Sequence, residues 1–208
     1  MALSTIDAFK AQVASDFARP NLFEVMLNFP GALDIDNKDS LKTLGKFTVR
    51  AANLPSSQMG VIEVPHRGRV LKIAGDRTFE PWTVTIMNDT NFALRSAFEA
   101  WFSAIQAQNE NYTSLATLGD ESDETGYFAD MQVTQLSRDS RAGQGSGNQE
   151  AGTAENKPLR RYEFMNIFPS NISAIDLDFG SNDAIEEFTV EFQVQYWRLL
   201  SNDAQWSV

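Results

Sequence analysis

Phe188-Thr189-Val190-Glu191-Phe192-Gln193-Val194-Gln195-Tyr196 alternates apolar and polar side chains without interruption. Successive side chains of a strand point to opposite faces. The two-residue period therefore predicts a half-buried strand with Phe188, Val190, Phe192, Val194 and Tyr196 on its core face. Upstream, Arg160 to Phe168 repeats the pattern and is expected to break at Pro169-Ser170-Asn171. In Tyr127 to Leu136, Ala129, Met131 and Val133 alternate with Asp130, Gln132 and Thr134, and Trp82, Val84 and Ile86 alternate with Thr83, Thr85 and Met87. Val61 to Val64 and Val70 to Ala74 flank a turn-like Pro65-His66-Arg67-Gly68, and Phe47 to Asn53 is a weaker strand. Asn21 to Phe29 places Phe23, Val25, Leu27 and Phe29 on one face, and Pro30-Gly31 ends it.

The period changes once. From Phe92 to Gln108, Leu94, Phe98, Trp101, Phe102 and Ile105 recur at three- and four-residue spacing, which predicts one amphipathic helix started near Asp89 or Thr90. A shorter helix is expected at Ser4 to Ala14, with Ile6, Phe9 and Val13 on one side. At that length it needs another surface to settle on. Asn109 to Gly126 is a polar loop, and Ser137 to Lys157, with Gly143, Gly145, Gly147 and Gly152, reads as a flexible insertion. Neighbouring strands joined by short turns, with one long helix among them, imply a mainly β, antiparallel sandwich or barrel-like fold. The expected organisation is an N-terminal arm over residues 1–20 and a single domain over 21–208, with the insertion at about 137–157.

Composition removes several kinds of chemistry. The 208 residues include 17 basic and 28 acidic side chains, one histidine and no cysteine, for a net charge of −11. Without cysteine there is no disulfide scaffold, cysteine nucleophile or thiolate metal site. His66 alone leaves no histidine pair for a metal. A sequence pI near 4.5 argues against binding nucleic acid through a basic face. No stretch approaches the roughly 18 consecutive apolar residues of a membrane helix. Met1 to Phe9 lacks the charged start and apolar core of a signal peptide. Synthesis in a cytoplasm, without a membrane anchor, is the expectation. The charge is also lopsided: Met1 to Gln108 holds 11 basic and 11 acidic residues, whereas Asn109 to Val208 holds 6 and 17. The acidic half is either a solubilising surface or a surface facing something anionic that must not stick.

Motifs for catalysis or metal binding are weak. Asp34-Ile35-Asp36-Asn37-Lys38-Asp39 fails as a calcium loop, because Lys38 holds a ligand position, Asp39 replaces the turn glycine and Gly45 stands where a bidentate glutamate is needed. Gly143, Gly145 and Gly147 do not lie between a strand and a helix, so they read as loop rather than phosphate cradle. Acid pairs such as Asp176 with Asp178 are read as solvated loop residues. His66 is read as a surface turn histidine, and Trp82, Trp101 and Trp197 as packing residues rather than sugar-stacking platforms. No cofactor is implied.

Four words of sequence, in order and in register along almost the whole chain, point elsewhere. They are Asp16-Phe17-Ala18-Arg19-Pro20-Asn21-Leu22-Phe23; Ala74-Gly75-Asp76-Arg77-Thr78-Phe79; Trp82-Thr83-Val84-Thr85 with Met87-Asn88-Asp89; and Pro169-Ser170-Asn171 followed by Ile185, Phe188, Val190 and Tyr196-Trp197. Together they resemble the tail tube proteins of contractile-tailed bacteriophages. The loop around Asp120 to Glu124 and the insertion at Ser137 to Lys157 look longer than in typical members. The resemblance implies a non-enzymatic β subunit of the virion tail. Six copies close into a ring, and rings stack into a hollow tube inside a contractile sheath. Partners are then the sheath, baseplate and tail terminator proteins, with DNA passing through the lumen without tight binding. A baseplate tube initiator, an effector-carrying ring of a type VI system, and a carbohydrate-binding or -hydrolysing β-sandwich are the alternatives.

Assembly contacts are expected at the matched words and near them. Phe9 lies on the apolar side of the N-terminal helix, and Arg19 and Asn21 anchor the arm. Gly75, Asp76 and Arg77 are expected to form a turn fixed by Asp–Arg pairing, serving either the turn itself or an inter-ring contact. Lys42, Lys46 and Arg50 are read either as a basic face for an acidic surface of the next ring or as part of an ordinary exposed loop and strand.

Overall fold

The computed structural model describes Ile6, Phe9, residues 17–115, Leu118, residues 126–138 and residues 158–200. Most of the N-terminal helix expected at Ser4 to Ala14, the acidic run Asp120 to Glu124 and nearly all of the Gly-rich insertion lie outside the described residues. Strands are β1 (Phe23–Met26), β2 (Val49–Ala52), β3 (Ser57–His66), β4 (Arg69–Phe79), β5 (Trp82–Met87), β6 (Ala129–Leu136), β7 (Pro158–Ile172), β8 (Glu187–Gln193) and β9 (Tyr196–Leu200). Helices are α1 (Lys38–Thr48) and α2 (Ala93–Ile105). One seven-stranded sheet runs β1-β6-β7-β8-β5-β2, with β9 on β7, and β3 and β4 form a separate two-stranded sheet. The expected mainly β class is the observed one.

By contact the chain divides into two compact units, residues 1–24, 134–161 and 200–208 in the first, and 25–133 and 162–199 in the second. In the first unit, Gln135 Nε2 donates to the carbonyls of Arg19 at 2.6 Å and Leu22 at 2.7 Å, and the Leu136 amide donates to Leu22 O at 2.9 Å. The backbone on either side of Pro20 is thereby tied to β6.

The second unit is organised on the antiparallel pair β5–β8, which runs from Trp82 opposite Phe192 to Met87 opposite Glu187. β-branched and aromatic residues alternate inward on both strands, and Trp82, Val84, Ile86, Phe188, Val190 and Phe192 are all buried. Trp82 stacks on Phe164 at 4.2 Å and lies 5.5 Å from Phe192. Phe98 meets Phe29 at 5.2 Å, Phe192 at 5.8 Å and Phe188 at 6.4 Å. Each buried indole N–H is satisfied, Trp82 by Asn53 O at 2.7 Å and Trp101 by Tyr127 O at 2.9 Å.

Helix α2 supplies one side of this core. Leu94, Ala97, Phe98 and Trp101 are buried at three- and four-residue steps. Asp89 Oδ1 accepts from the Ala93 amide at 2.9 Å and serves an otherwise orphaned donor of the first turn. On its outer side Arg95 pairs with Glu99 at 2.7 Å, donates to Ser173 O at 2.8 Å and lies over the Phe188 ring. No helix among the described residues is long and apolar enough to cross a membrane.

Four local expectations are corrected. First, α1 was not foreseen: Lys38 to Thr48 is helical, where the sequence suggested loop and strand. Its apolar stripe is thin, resting on Leu41 and on Gly45, which faces Leu27. The Lys38 ammonium donates to Pro30 O at 3.0 Å and Gly31 O at 2.7 Å and pins the preceding loop. Second, β7 does not break at Pro169. The register shifts between Pro169 and Asn171, so the proline sits at a bulge, where a missing amide donor is tolerated. Third, the stretch Phe188 to Tyr196 is not one strand but β8 and β9, separated at Val194-Gln195. Fourth, Gly75, Asp76 and Arg77 lie within β4 and form no turn.

Gly45 gives a direct test of the α1 packing. A Cβ there falls 3.0 Å from Leu27 Cδ1 and 3.3 Å from its Cγ, and Leu27 is fully buried. Replacing an interior helical glycine by alanine gains about 1 kcal/mol of propensity. Overpacking a filled core costs about 1–3 kcal/mol. Gly45→Ala is expected to lower the thermal midpoint by a few degrees, measured by circular dichroism. A raised midpoint would show that Leu27 yields.

Candidate assembly surface

The hairpin β3–β4 departs from the rest of the chain in its pattern. Val61-Ile62 and Val70-Leu71 are adjacent apolar pairs, and adjacent strand residues face opposite ways, so both faces of the ribbon are apolar. The register runs from Ser57 opposite Phe79 to His66 opposite Arg69. Only Arg67 and Gly68 close it, at φ 46° and 81°. Two left-handed residues in succession make the type I′ turn whose twist matches a hairpin.

Gly75 and Gly60 explain one another. The register shifts between Met59 and Val61. A Cβ on Gly75 falls 3.2 Å from the Gly60 carbonyl carbon and oxygen, and one on Gly60 falls 3.1 Å from Asp76 O. Close backbone approach in a bulge, rather than a left-handed turn, is what requires glycine here. Asp76 and Arg77 follow as successive strand residues, so their side chains leave opposite faces and do not pair as a turn would need.

The root of the hairpin is fastened. Ser56 Oγ donates to Glu80 Oε2 at 2.6 Å, Asn53 Nδ2 to Thr83 Oγ1 at 2.9 Å, and Trp197 Nε1 to Ser56 O at 3.3 Å. The Trp197 ring meets Phe79 edge-on at 6.4 Å and Tyr162 at 5.8 Å. Beyond the root, Val61 is 60% and Leu71 61% exposed, and Met59, Ile62, Val70 and Ile73 are exposed as well. An isolated two-stranded hairpin is marginal in water. Beyond the fastened root, the described residues leave apolar side chains bare on both faces of the ribbon.

A second bare region is the loop 173–186 between β7 and β8. Leu177 is 86% exposed, and Phe179 and Ile185 are fully or largely exposed. With Ile175, Asp176 and Glu187 they line an open concavity of about 460 Å³. On α1, Phe47 is 77% exposed.

The residues expected at contacts are scattered over these parts. Phe9 is exposed. Arg19 and Asn21 are exposed, and the anchoring of the arm that the structure shows is through the Arg19 carbonyl. Lys42 and Lys46 are half-buried on α1. Arg50 reaches across β5 to Glu187 and forms an ion pair within the chain. The hydrogen bond to Glu187, and then its charge, hold the Arg50 guanidinium above its ordinary value. Gly75, Asp76 and Arg77 alone fall on the hairpin. Sequence reasoning singled out none of Val61, Ile62, Leu71 and Ile73, nor Leu177 and Phe179, whereas Ile185 belongs to a matched word. The available sign was consecutive apolar residues on a ribbon too short to enclose anything.

The chain is mainly β, and among the described residues its most apolar arm has both faces bare. The phage tail tube protein family matches residues 18–200, and the chain belongs to that family. The tail tube protein gp19 of Enterobacteria phage T4 is 30% identical over 191 residues, 92% of this chain and 97% of that protein. Two solved structures share the fold. A component of the anti-feeding prophage baseplate has a TM-score of 0.56 at 15% identity, covering 91% of this chain and 99% of that one. A chain of the sheath–tube complex of an extracellular contractile injection system has 0.55 at 15% identity, covering 92% and 97%. The chain is a tail tube protein, a structural component of a phage tail.

The bulge is open to a test that separates arm from core. Gly75→Val drives a side chain into backbone that cannot retreat. Amide exchange across 57–79 is expected to accelerate at least tenfold, about 1.4 kcal/mol of local protection. Amides of β5 and β8 should keep their protection.

Proposed function

We propose that this chain is the repeating unit of the inner tail tube: six copies close a ring, rings stack, and the bore carries the genome through the host envelope. The observation that carries this is the β3–β4 hairpin. Full burial of a Val, Leu or Ile side chain is worth about 1.5–3 kcal/mol, so covering even half of the bare set stabilises an assembly by several kcal/mol per subunit. The strands are already paired and the root is fastened, so little ordering is left for association to fund. A ring that also stacks needs heterologous surfaces, and the hairpin, loop 173–186 and α1 offer several.

The partners follow from that role. Sheath protein on the outside, baseplate proteins at one end and a terminator at the other fit a tube of this family. The acidic surplus of Asn109 to Val208 suits a bore that passes DNA, because acidic groups release no counterions from phosphates and do not retain the duplex.

Electron microscopy of the purified protein decides the assembly. Long hollow tubes are expected. Single rings that never stack would assign the chain to tube initiation at the baseplate, and monomers at every concentration would end the proposal. Assembled tubes are further expected to leave duplex DNA unretarded in a gel at low salt, and a retarded band would show a basic bore.

A further inference from the structure

Strand β9 adds little to the core. It has five residues, pairs with β7, and leaves Tyr196 and Leu199 exposed. A short strand of this kind can open locally while the rest of the fold stays closed. Beyond the ladder, side chains hold it to β7 on both faces, because successive strand residues point opposite ways. On one face Trp197 meets Tyr162 edge-on at 5.8 Å. On the other, Arg198 Nε donates to Glu163 Oε2. Glu163 is 8% exposed, and its second oxygen, Oε1, accepts from Gln132 Nε2 of β6 at 2.9 Å. The buried carboxylate therefore has a donor on each oxygen, and Arg198 is the cation that pairs with it.

Trp197 also reaches the arm. Its Nε1 donates to Ser56 O at 3.3 Å, and its ring meets Phe79 at 6.4 Å. The hairpin's first registered pair is Ser57 opposite Phe79, so one indole touches the chain entering the arm and the chain leaving it. The other root contacts, Ser56 with Glu80 and Asn53 with Thr83, lie within residues 53–83. The contact from Trp197 comes from 141 positions further along the chain.

We propose that β9 is a strap on the root of the β3–β4 arm, and that the Glu163–Arg198 pair sets how firmly the strap holds. With the pair formed, Trp197 fixes both legs of the root. With the pair broken, β9 loosens, Trp197 leaves the root, and the arm frays from its base. The path is contiguous: Glu163 on β7, Arg198 and Trp197 as neighbours on β9, then Ser56 and Phe79 at the arm. Removing one partner of a buried charge leaves it uncompensated, a far larger loss than breaking an exposed pair. The Arg198 side chain is 56% exposed against 10% for Glu163, so the pair can be opened from the solvent side without emptying the core. An arm released at its root approaches an isolated hairpin, which is marginal in water. The device belongs to the single subunit and holds whether or not copies assemble.

Amide exchange on the full chain, kept dilute enough to stay unassembled, reads the device. Arg198→Met keeps the stem and removes the charge, and Glu163→Gln keeps the shape of the carboxyl group and removes its charge. Each is expected to speed exchange about fivefold or more at 196–200 and at the arm root, 57–59 and 77–79, and to leave β5 and β8 unchanged. Trp197→Ala should speed the root by itself. Arg198→Met added to Trp197→Ala should then change the root by less than about twofold while still loosening β9, because the route to the arm is already cut. A root unmoved by Arg198→Met would overturn the proposal. So would equal acceleration in β5 and β8, which is a loss of global stability, and so would root effects of Arg198→Met and Trp197→Ala that multiply. Arg198 is changed at an exposed position, so its variants decide the matter even where Glu163→Gln does not fold.

Discussion

The β5–β8 ladder is the constraint on which the second unit depends. Six registered pairs, Trp82–Phe192 to Met87–Glu187, place two aromatic residues at one end and a carboxylate at the other. At the aromatic end Trp82 stacks on Phe164, meets Phe192 at a tilt and donates to Asn53 O, which brings the chain from β2 toward β3 against the core. At the carboxylate end Glu187 draws Arg50 across β5. A slip of one residue in this ladder would turn every buried side chain outward. It would also move the hairpin root and loop 173–186 relative to each other, because each leaves one end of this ladder.

Much of this fold was legible in the sequence because burial and period coincide. Trp82, Val84 and Ile86, and Phe188, Val190 and Phe192, are one-sided strands in both sequence and structure. Leu94, Phe98 and Trp101 likewise mark α2. What was not legible had a different physical cause in each case. Helix α1 presents only Leu41 and a glycine to the core, and a glycine contributes a groove for Leu27 rather than a hydrophobic signal. Pro169 read as a terminator because a proline removes a ladder donor, yet a bulge needs no donor at that point. Gly75 read as a turn because glycine usually marks one. Its actual requirement is the Gly60 backbone, 15 positions earlier in sequence and 3.2 Å away in space.

The assembly surface was the least legible part for a related reason. Basic residues on Leu41 to Gln58 suggested contact with an acidic neighbour, but Arg50 is matched by Glu187 inside the same chain. A formal charge in a sequence says nothing of its partner. The bare residues Val61, Ile62, Leu71 and Ile73 read only as two strands flanking a turn, because a hydrophobic pattern cannot distinguish side chains buried in their own fold from side chains left bare. The distinction came from the sheet order, which among the described residues pairs β3 and β4 only with each other.

That isolation also sets a problem the sequence must answer. A long apolar ribbon with two free edges invites unwanted pairing with any strand it meets. The hairpin carries several features that oppose this. Pro65 lies in β3 and withholds one amide, the Gly60 bulge bends the ribbon, and Glu63, Arg69 and Lys72 place charge along both strands. None of them buries the apolar faces. They hinder edge-to-edge addition while leaving the faces available. Edge protection and open faces coexist on one ribbon because pairing is hindered through the backbone and the charges, whereas the apolar side chains stand off the two faces.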